Sequence, residues 1–229
     1  MTKAVIFDMF ETLVTHYESP LYFGTEISRD MGIPFEEFRE LWIPYEHDRT
    51  VGRLPLEELI KQIMDAKRID SEEIFNKVIS KRKNAKRECF AHIHPDILPL
   101  FEELKRRGTK IGLITNCFSE EEEVIRESVL FSYFDVAMLS NVEGVCKPDH
   151  ELFFRCMKQL GVKPEECIYV GDGGSKELET AAELGMQPLQ ALWYLKEGTS
   201  QPLRKKEGFT HLYHPMEVLQ YCEKPHVNM

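Results

Sequence analysis

The sequence predicts an α/β fold in which a doubly wound sheet of parallel strands forms the core and a bundle of helices is inserted after the first strand. Two observations lead to this fold. Short apolar runs of the β type alternate with helical patterns from residue 95 onward, whereas the hydrophobic spacing between residues 18 and 90 is helical throughout. A length of 229 residues fits one large domain or two modest ones. We therefore predict a core from residues 1–15 and 94–229 and an inserted helical unit from residues 16–93.

The first strand and the insert follow from local patterns. Residues 3–7 form a short β-prone run that stops at Asp8. In the insert, apolar side chains recur at helical spacing after Pro34 and again after Pro55. A further helix is expected after Asp70, which with Glu73 resembles a capping pair. The insert is therefore predicted to be a bundle of about four helices.

Helices and strands alternate in the remainder of the chain. A helix that begins near residue 97 is expected to end at Gly108, and Pro99 is tolerated there because it falls in the first turn. The elements that follow are predicted as strands at 111–115, 134–139, 167–170 and about 188–192, with helices at 120–130, 149–160 and 176–184. Such alternation indicates a parallel sheet with helices on both faces.

Composition excludes several classes of partner. The chain has 29 Lys and Arg against 39 Asp and Glu, so its net charge is −10, and nucleic acid is not an expected partner because no basic block could hold a polyanion. No run approaches the roughly 18 apolar residues of a membrane-spanning helix, and no signal-type stretch opens the sequence. We therefore expect a cytoplasmic protein with no membrane partner. The six scattered cysteines are expected to be reduced thiols, and no pattern indicates an oligomeric state.

Polar side chains follow the predicted strands at the points where the strands end. Ligands of open α/β sheets bind beyond the carboxyl ends of the strands, so these residues are expected to meet. Each of them alone has an ordinary explanation, such as a turn, a helix cap or a solvated charge. Together they predict a site made of Asp8 with Thr12, Thr115 with Asn116, Lys147 with Pro148, and Gly171 with Asp172.

These residues lie in four segments whose order and spacing resemble the motifs of the haloacid dehalogenase superfamily of phosphotransferases and hydrolases. The segments are Phe7-Asp8-Met9-Phe10-Glu11-Thr12-Leu13-Val14, Leu113-Ile114-Thr115-Asn116, Cys146-Lys147-Pro148-Asp149, and Val170-Gly171-Asp172 through Glu177. The resemblance covers almost the whole chain. It implies a Rossmann-like core, and it implies that the helical insert is an α-helical cap of the family's first type.

The resemblance also implies a reaction. Asp8 would be the nucleophile that attacks phosphorus and forms an aspartyl-phosphate, and the substrate would be a small phosphorylated metabolite. Mg²⁺ would neutralise the charge on the phosphoryl group. The implied ligands of the metal are the Asp8 and Asp172 carboxylates and the main-chain carbonyl of Phe10. The implied phosphoryl-binding groups are the Thr115 hydroxyl, the Asn116 main-chain N–H and the Lys147 ammonium group.

Phe10 departs from the family's phosphatases, which usually have a second Asp there to protonate the leaving group. General acid–base help is worth about 10²- to 10⁴-fold in rate, so alkyl phosphates should react slowly. The family's metal-independent 2-haloacid dehalogenases carry an aromatic residue at this position, which keeps dehalogenation open as an alternative. Asp172 favours metal, because its carboxylate beside Asp8 would be costly without a cation. A binding protein that has lost turnover is the remaining alternative.

Other candidates have simpler explanations as well. Glu177 stands where the family generally has Asp, and it is either a support for the metal site or a first-turn helix carboxylate. Arg49 and Arg53 are candidates for holding an anionic substrate from the insert, or else solvated surface arginines. Glu11 is either a displaced proton donor or a polar loop residue. The basic run from Lys81 to Arg87 is expected to be the exposed end of a helix.

Overall fold

The computed structural model describes residues 2–196, 201 and 204–223. Six parallel strands form one sheet in these residues, in the order β3-β2-β1-β4-β5-β6. The strands are β1 (Ala4–Phe7), β2 (Lys110–Thr115), β3 (Val136–Leu139), β4 (Cys167–Gly171), β5 (Gln187–Ala191) and β6 (Thr210–Leu212). This confirms the predicted α/β class with a doubly wound, Rossmann-like parallel sheet.

The centre of the sheet explains why the site lies at one edge. β1 is buried along its whole length and pairs with β2 on one side and with β4 on the other. Phe7, the last residue of β1, is in register with Leu113 and Val170, so the three central strands end close together. The polar residues that follow these strands are therefore collected at the carboxyl edge of the sheet.

Helices cover both faces of the sheet. One apolar cluster packs Phe101 and its neighbours against one face, and a second packs Phe153 and its neighbours against the other. The helices outside the insert are α6 (Ile97–Arg106), α7 (Ser119–Glu127), α8 (Ser140–Glu143), α9 (His150–Leu160), α10 (Glu177–Glu183) and α11 (Val218–Cys222). None of the helices within the described residues is both long and apolar enough to cross a membrane.

The segment between β1 and β2 is helical. Its helices are α1 (Gly24–Met31), α2 (Phe35–Trp42), α3 (Glu46–Thr50), α4 (Leu56–Ala66) and α5 (Glu72–Cys89). They pack around an apolar cluster of their own, which includes Ile27, Phe38 and Leu59. The predicted unit boundaries after residues 15 and 93 stay a prediction.

Some local features differ from the expectation. Ser71 rather than Asp70 caps α5, because its hydroxyl accepts a hydrogen bond from the Ile74 N–H at 3.2 Å. The short helix α3 adds a fifth helix to the insert. The strand Thr210–Leu212 was not predicted, because three residues are too few for a hydrophobic alternation to be recognised.

Candidate active site

Asp8 and Lys147 form the centre of the site. Asp8 directly follows β1, and Lys147 lies in the loop between α8 and α9. The Lys147 ammonium group donates a hydrogen bond to Asp8 Oδ1 at 2.6 Å, and both side chains are almost fully buried. Burial alone would lower the pKa of Lys147, but Asp8 and the neighbouring Glu177 outweigh burial and raise it. Lys147 is therefore a fixed positive charge beside the Asp8 carboxylate.

Glu177 also contacts Lys147. Its Oε2 accepts hydrogen bonds from the Lys147 ammonium group and, at 2.9 Å, from the Tyr169 hydroxyl. Its Oε1 accepts one from the Gly173 N–H at 3.0 Å. The carboxylate fits only because residue 171 is glycine, since a Cβ there would lie 2.1 Å from Glu177 Oε1. Tyr169 was missed by sequence analysis, because a tyrosine inside a buried strand looks like a core residue.

Asp172 completes a group of three acidic side chains. Its Oδ1 accepts a hydrogen bond from the Gly174 N–H at 2.9 Å. One carboxylate oxygen from each of Asp8, Asp172 and Glu177 lies within 4.8 Å of the others. Burial, helped by Glu177 and opposed by Lys147, raises the pKa of Asp8 to about 7. Burial and the Asp8 charge raise the pKa of Asp172 to about 6.

The donor chemistry of this group fits a divalent cation. Three carboxylates face one ammonium group, which leaves two negative charges uncompensated in a largely buried position. All the offered ligand atoms are oxygens, which Mg²⁺ prefers. The raised carboxyl pKa values have the same origin, because a group of like charges is costly to bury without a counter-charge. The buried acidic cluster could therefore bind a metal ion.

Asn116 connects the end of β2 to the Lys147 loop. The Lys147 main-chain N–H donates to Asn116 Oδ1 at 2.8 Å, and Asn116 Nδ2 donates to the Lys147 carbonyl at 3.1 Å and to Ser175 Oγ at 3.3 Å. The side chain of Asn116 thus positions the backbone from which Lys147 extends. Thr115 is fully buried, and its hydroxyl donates to the Asn116 carbonyl at 3.4 Å.

A cleft of about 320 Å³ opens above Asp8. Most of the predicted site residues line this cleft, together with side chains from the loop after β1. The lining residues are Asp8, Phe10, Glu11, His16, Tyr17, Phe23, Asn116, Lys147, Asp172, Gly174, Ser175 and Glu177. Thr115 is not among the lining residues. A cleft of this size is in the usual range for small-molecule sites.

Glu11 and His16 occupy the entrance of the cleft next to Phe10. The Glu11 carboxylate accepts hydrogen bonds from the Thr15 hydroxyl at 2.8 Å and from the His16 N–H at 3.0 Å. The His16 ring stacks on Phe10 with 4.6 Å between ring centroids, and its Nε2 lies 2.8 Å from the Lys86 ammonium group. His16 was not among the predicted site residues, because its contacts are made to distant parts of the chain.

Arg49 and Arg53, the predicted substrate-binding arginines of the insert, are not among the residues that line the cleft. Arg49 is buried with 1% of its surface exposed, and it donates to Glu120 Oε1 at 2.7 Å. Its guanidinium lies between the rings of Trp42 and Phe118, with 4.3 and 4.0 Å to the ring centroids. A buried carboxylate on α7 needs a cation, which explains the position of Arg49. Arg53 is exposed and pairs with a neighbouring acidic residue at the surface.

The basic run on α5 is also not entirely exposed. Arg82 and Lys86 are buried, and both lie on the walls of a second chamber that adjoins the cleft. Val78, Arg82, Lys86 and Cys89 recur at helical spacing on one face of α5 and are all buried. This spacing is a signal that could have identified the two inward-facing cations from the sequence.

Comparison with known proteins identifies the class to which this fold and site belong. Residues 2–185 match the haloacid dehalogenase-like hydrolases, and the chain belongs to this family. It is therefore a hydrolase of the haloacid dehalogenase superfamily, and its relatives include proteins named as phosphatases.

Two relatives share a name and differ in coverage. A glyceraldehyde 3-phosphate phosphatase of Methanopyrus kandleri is 35% identical over 101 residues, and the match spans 42% of this chain and 43% of that protein. The protein of the same name from Methanocaldococcus jannaschii is 29% identical over 201 residues, which is 84% of this chain and 86% of the relative.

Solved structures share the fold. A haloacid dehalogenase-type phosphatase from Thermococcus onnurineus superposes with a TM-score of 0.65 at 20% identity, over 97% of this chain and 98% of that one. A 2-haloacid dehalogenase from Pseudomonas syringae superposes with a TM-score of 0.66 at 18% identity, over 96% of this chain and 97% of that one. The same fold therefore occurs in proteins named for either chemistry.

Proposed function

We propose that this protein is a Mg²⁺-dependent phosphatase that hydrolyses small phosphate monoesters through an aspartyl-phosphate on Asp8. The observation that carries the proposal is the buried group in which the Asp8 carboxylate contacts the Lys147 ammonium at 2.6 Å and lies within 4.8 Å of the Asp172 and Glu177 carboxylate oxygens. Two uncompensated negative charges in this group match one divalent cation, and the cleft above Asp8 admits a small ligand.

In the first step, an Asp8 carboxylate oxygen attacks phosphorus, the phosphorus–oxygen bond to the leaving group breaks, and the electron pair stays on the departing oxygen. In the second step, a water oxygen attacks phosphorus, the bond between phosphorus and the Asp8 oxygen breaks, and its electron pair returns to the Asp8 carboxylate. Inorganic phosphate is released, and the proton lost by the water passes to solvent. Bound Mg²⁺ supplies positive charge that lets an anionic carboxylate approach an anionic phosphoryl group. Asp8 and Asp172, together with the Phe10 carbonyl, are the residues that would hold it.

Lys147 is proposed to bind the phosphoryl oxygens, and its charge favours the ionised form of Asp8 against the effect of burial. Its ammonium group already lies beside Asp8, so charge developing on the phosphoryl oxygens is stabilised without reorganisation. The Asn116 main-chain N–H and the Thr115 hydroxyl are proposed to bind the remaining phosphoryl oxygens. Glu177 acts as a positioning residue, because its carboxylate pairs with the Lys147 ammonium group in addition to Asp8.

A phosphate-release assay tests the proposal. With an aryl phosphate, whose leaving group needs no proton, we expect phosphate release that requires Mg²⁺ and stops on addition of chelator. Asp8→Asn should abolish release, whereas Asp48→Asn, a matched change at an exposed carboxylate paired with Arg53, should not reduce it. Absence of Mg²⁺-dependent release from the parent protein would overturn the proposal and favour a binding protein without turnover.

Dehalogenation is a second candidate, and the observation that favours it is Phe10, an aromatic residue where a proton-donating carboxylic acid would otherwise stand. In that reaction Asp8 would displace halide from carbon and no metal would be needed. Halide release from a 2-haloacid in the presence of chelator, with no Mg²⁺-dependent release of phosphate, would favour dehalogenation over phosphate hydrolysis.

A further inference from the structure

A second chamber adjoins the cleft above Asp8. It measures about 540 Å³ and lies between the inserted helices and the core. The cleft and the chamber share Phe10, His16, Phe23 and Asn116 as lining residues, so a ligand that reaches Asp8 can extend into the chamber. Aromatic rings dominate its walls, and they belong to Phe10, Phe23, Phe35, Phe38, Trp42 and Phe118.

The buried charged groups on the chamber walls, Arg82, Lys86 and Glu121, already have partners within the protein, whereas Arg39 and Glu46 are exposed at its rim. Arg82 donates to Glu120 Oε1 at 3.0 Å and to the Tyr22 carbonyl at 2.8 Å. Lys86 lies 2.5 Å from Glu121 Oε1. The charges of Arg82 and Lys86 are therefore largely neutralised by α7, and these ion pairs hold the insert against that helix. Apart from the exposed Arg39 and Glu46, the chamber therefore offers a ligand mainly the faces and edges of aromatic rings.

Of the described residues, the four that line both the cleft and the chamber include no carboxylic acid that could protonate a leaving oxygen. Phe10 has no transferable proton. The two ring nitrogens of His16 face protein partners, with Nδ1 3.4 Å from Glu11 Oε1 and Nε2 2.8 Å from the Lys86 ammonium group. The Glu11 carboxylate accepts hydrogen bonds from the loop that follows β1. An ester whose leaving group must be protonated at this boundary should therefore be hydrolysed slowly.

We propose that the physiological substrate is an aryl phosphate, a phosphate ester of a phenol-type hydroxyl, whose ring occupies the aromatic chamber while its phosphoryl group faces Asp8. The proposal rests on the proposed phosphatase function. Two independent observations support it, namely the aromatic walls of the chamber and the missing proton donor. An aromatic ring packs favourably against several aromatic side chains.

The chemistry of the leaving group agrees with this choice. When Asp8 attacks phosphorus, the ester bond breaks and the electron pair goes to the departing oxygen. A phenol has a pKa of about 10, as the tyrosine side chain does, so an aryl oxygen leaves as an anion and takes its proton later from water. An alkoxide is far more basic and needs a proton during the step, which usually contributes about 10²- to 10⁴-fold.

Binding of non-hydrolysable analogues tests the chamber separately from turnover. Phenylphosphonate and ethylphosphonate have no ester bond to phosphorus, and calorimetry in the presence of Mg²⁺ measures their dissociation constants. We expect phenylphosphonate to bind about tenfold more tightly because its ring enters the chamber. Equal affinity for the two phosphonates would overturn the aryl proposal.

A pair of exposed phenylalanines provides matched variants. Phe35 is 41% exposed and lines the chamber, whereas Phe154 is 49% exposed on α9 and does not line it. Phe35→Ala should remove most of the preference for phenylphosphonate, and Phe154→Ala should leave it unchanged. Thr25→Trp, an exposed chamber position on α1, should block the ring and leave ethylphosphonate binding intact. A preference that survives both Phe35→Ala and Thr25→Trp would contradict the proposal.

Turnover then tests the leaving group. Phenyl phosphate and 2-phenylethyl phosphate both carry a ring, but only the first leaves as a phenoxide. We expect kcat for phenyl phosphate to exceed that for 2-phenylethyl phosphate by at least about 100-fold. A kcat ratio near one, with Mg²⁺-dependent release intact, would overturn the aryl proposal and leave the phosphatase function standing. No release of phosphate from either ester would overturn the proposed function itself.

Discussion

Replacing Glu120 with glutamine should destabilise the protein by about 3 kcal/mol, because Glu120 is the anionic centre of a buried ionic cluster. Its Oε1 accepts hydrogen bonds from Arg49 at 2.7 Å and from Arg82 at 3.0 Å. Both arginines belong to the inserted helices, whereas Glu120 lies in the first turn of α7, directly after the β2 end of the site. The cluster therefore joins the insert to the core.

The magnitude follows from the ionisation of Glu120. Burial alone would raise its pKa, but Arg82 and Arg49 outweigh burial and lower the pKa from 4.5 to about 2. A shift of this size corresponds to about 3 kcal/mol of stabilisation. Because the folded-state pKa is depressed, the stabilisation is fully present above the unfolded-state pKa near 4.5 and is lost as the pH falls toward about 2. Loss of one partner of a buried ion pair usually costs about 3–5 kcal/mol, which agrees with the value of about 3 kcal/mol derived from the pKa of Glu120.

Thermal unfolding of the parent and Glu120→Gln proteins measures this effect. For a chain of this length about 3 kcal/mol lowers Tm by roughly 6 to 12 °C at pH 7, and the difference should shrink below pH 4.5. Glu123→Gln is the matched control on the same helix, since Glu123 is exposed and pairs at 3.5 Å with Arg87 at the surface. It should cost less than about 1 kcal/mol. Equal losses for the two variants, or a difference that grows as the pH falls, would refute the reasoning.

Two further predictions concern the contact between insert and core and the acidic group. Gly52→Ala should lower Tm far more than Gly32→Ala. Both glycines have positive φ, at 75° and 68°, but of the two only Gly52 would bring the added Cβ against a neighbour, the Asn141 carbonyl oxygen at 1.9 Å. Equal losses of Tm would show that the φ angle alone determines the effect. Asp172→Asn should weaken Mg²⁺ binding at least about tenfold in calorimetric titration, because it removes one of the carboxylates beside Asp8; unchanged affinity would place the ion elsewhere.

The order of the core elements was predictable except for α8, β6 and α11, because the others have clear local signals. β1 and β2 are short apolar runs, and the helix Ile97–Arg106 has a regular apolar face and is followed by Gly108 with a φ of 71°. The register between strands is not local information. Phe7 lies beside both Leu113 and Val170 because of packing across the whole sheet. The location of the site could be predicted only from the rule that ligands bind at the carboxyl ends of the strands.

The predicted site residues that follow strands lie together around the cleft, whereas those from the insert lie elsewhere. The structure brings Asp8, Lys147 and Asp172 together, because each follows directly from the topology of the sheet. Arg49 was chosen by residue type alone, and its actual neighbour, Glu120, is 71 positions away in the sequence. Such tertiary pairings leave no mark in the local pattern. Lys86 is different, because its place on the apolar face of α5 was visible in the spacing.

The partners of Glu177 show a further limit. Its position in the first turn of α10 is explained equally well by the helix dipole, which stabilises a carboxylate at a helix start whatever its function. Only the structure reveals that its two oxygens are engaged by the Gly173 N–H, the Tyr169 hydroxyl and the Lys147 ammonium group. Its role in positioning Lys147 could not be deduced from residue type and spacing.

The most direct test of the account is to trap the phosphorylated protein. The parent protein is mixed with phenyl phosphate and Mg²⁺, quenched in acid within its first turnover, and digested for mass spectrometry. We expect one added phosphoryl group on the peptide that contains Asp8, absent when chelator is added and absent from the Asp8→Asn protein. Mg²⁺-dependent release of phosphate with no label on Asp8 at any quench time, or with the label on another residue, would contradict the account.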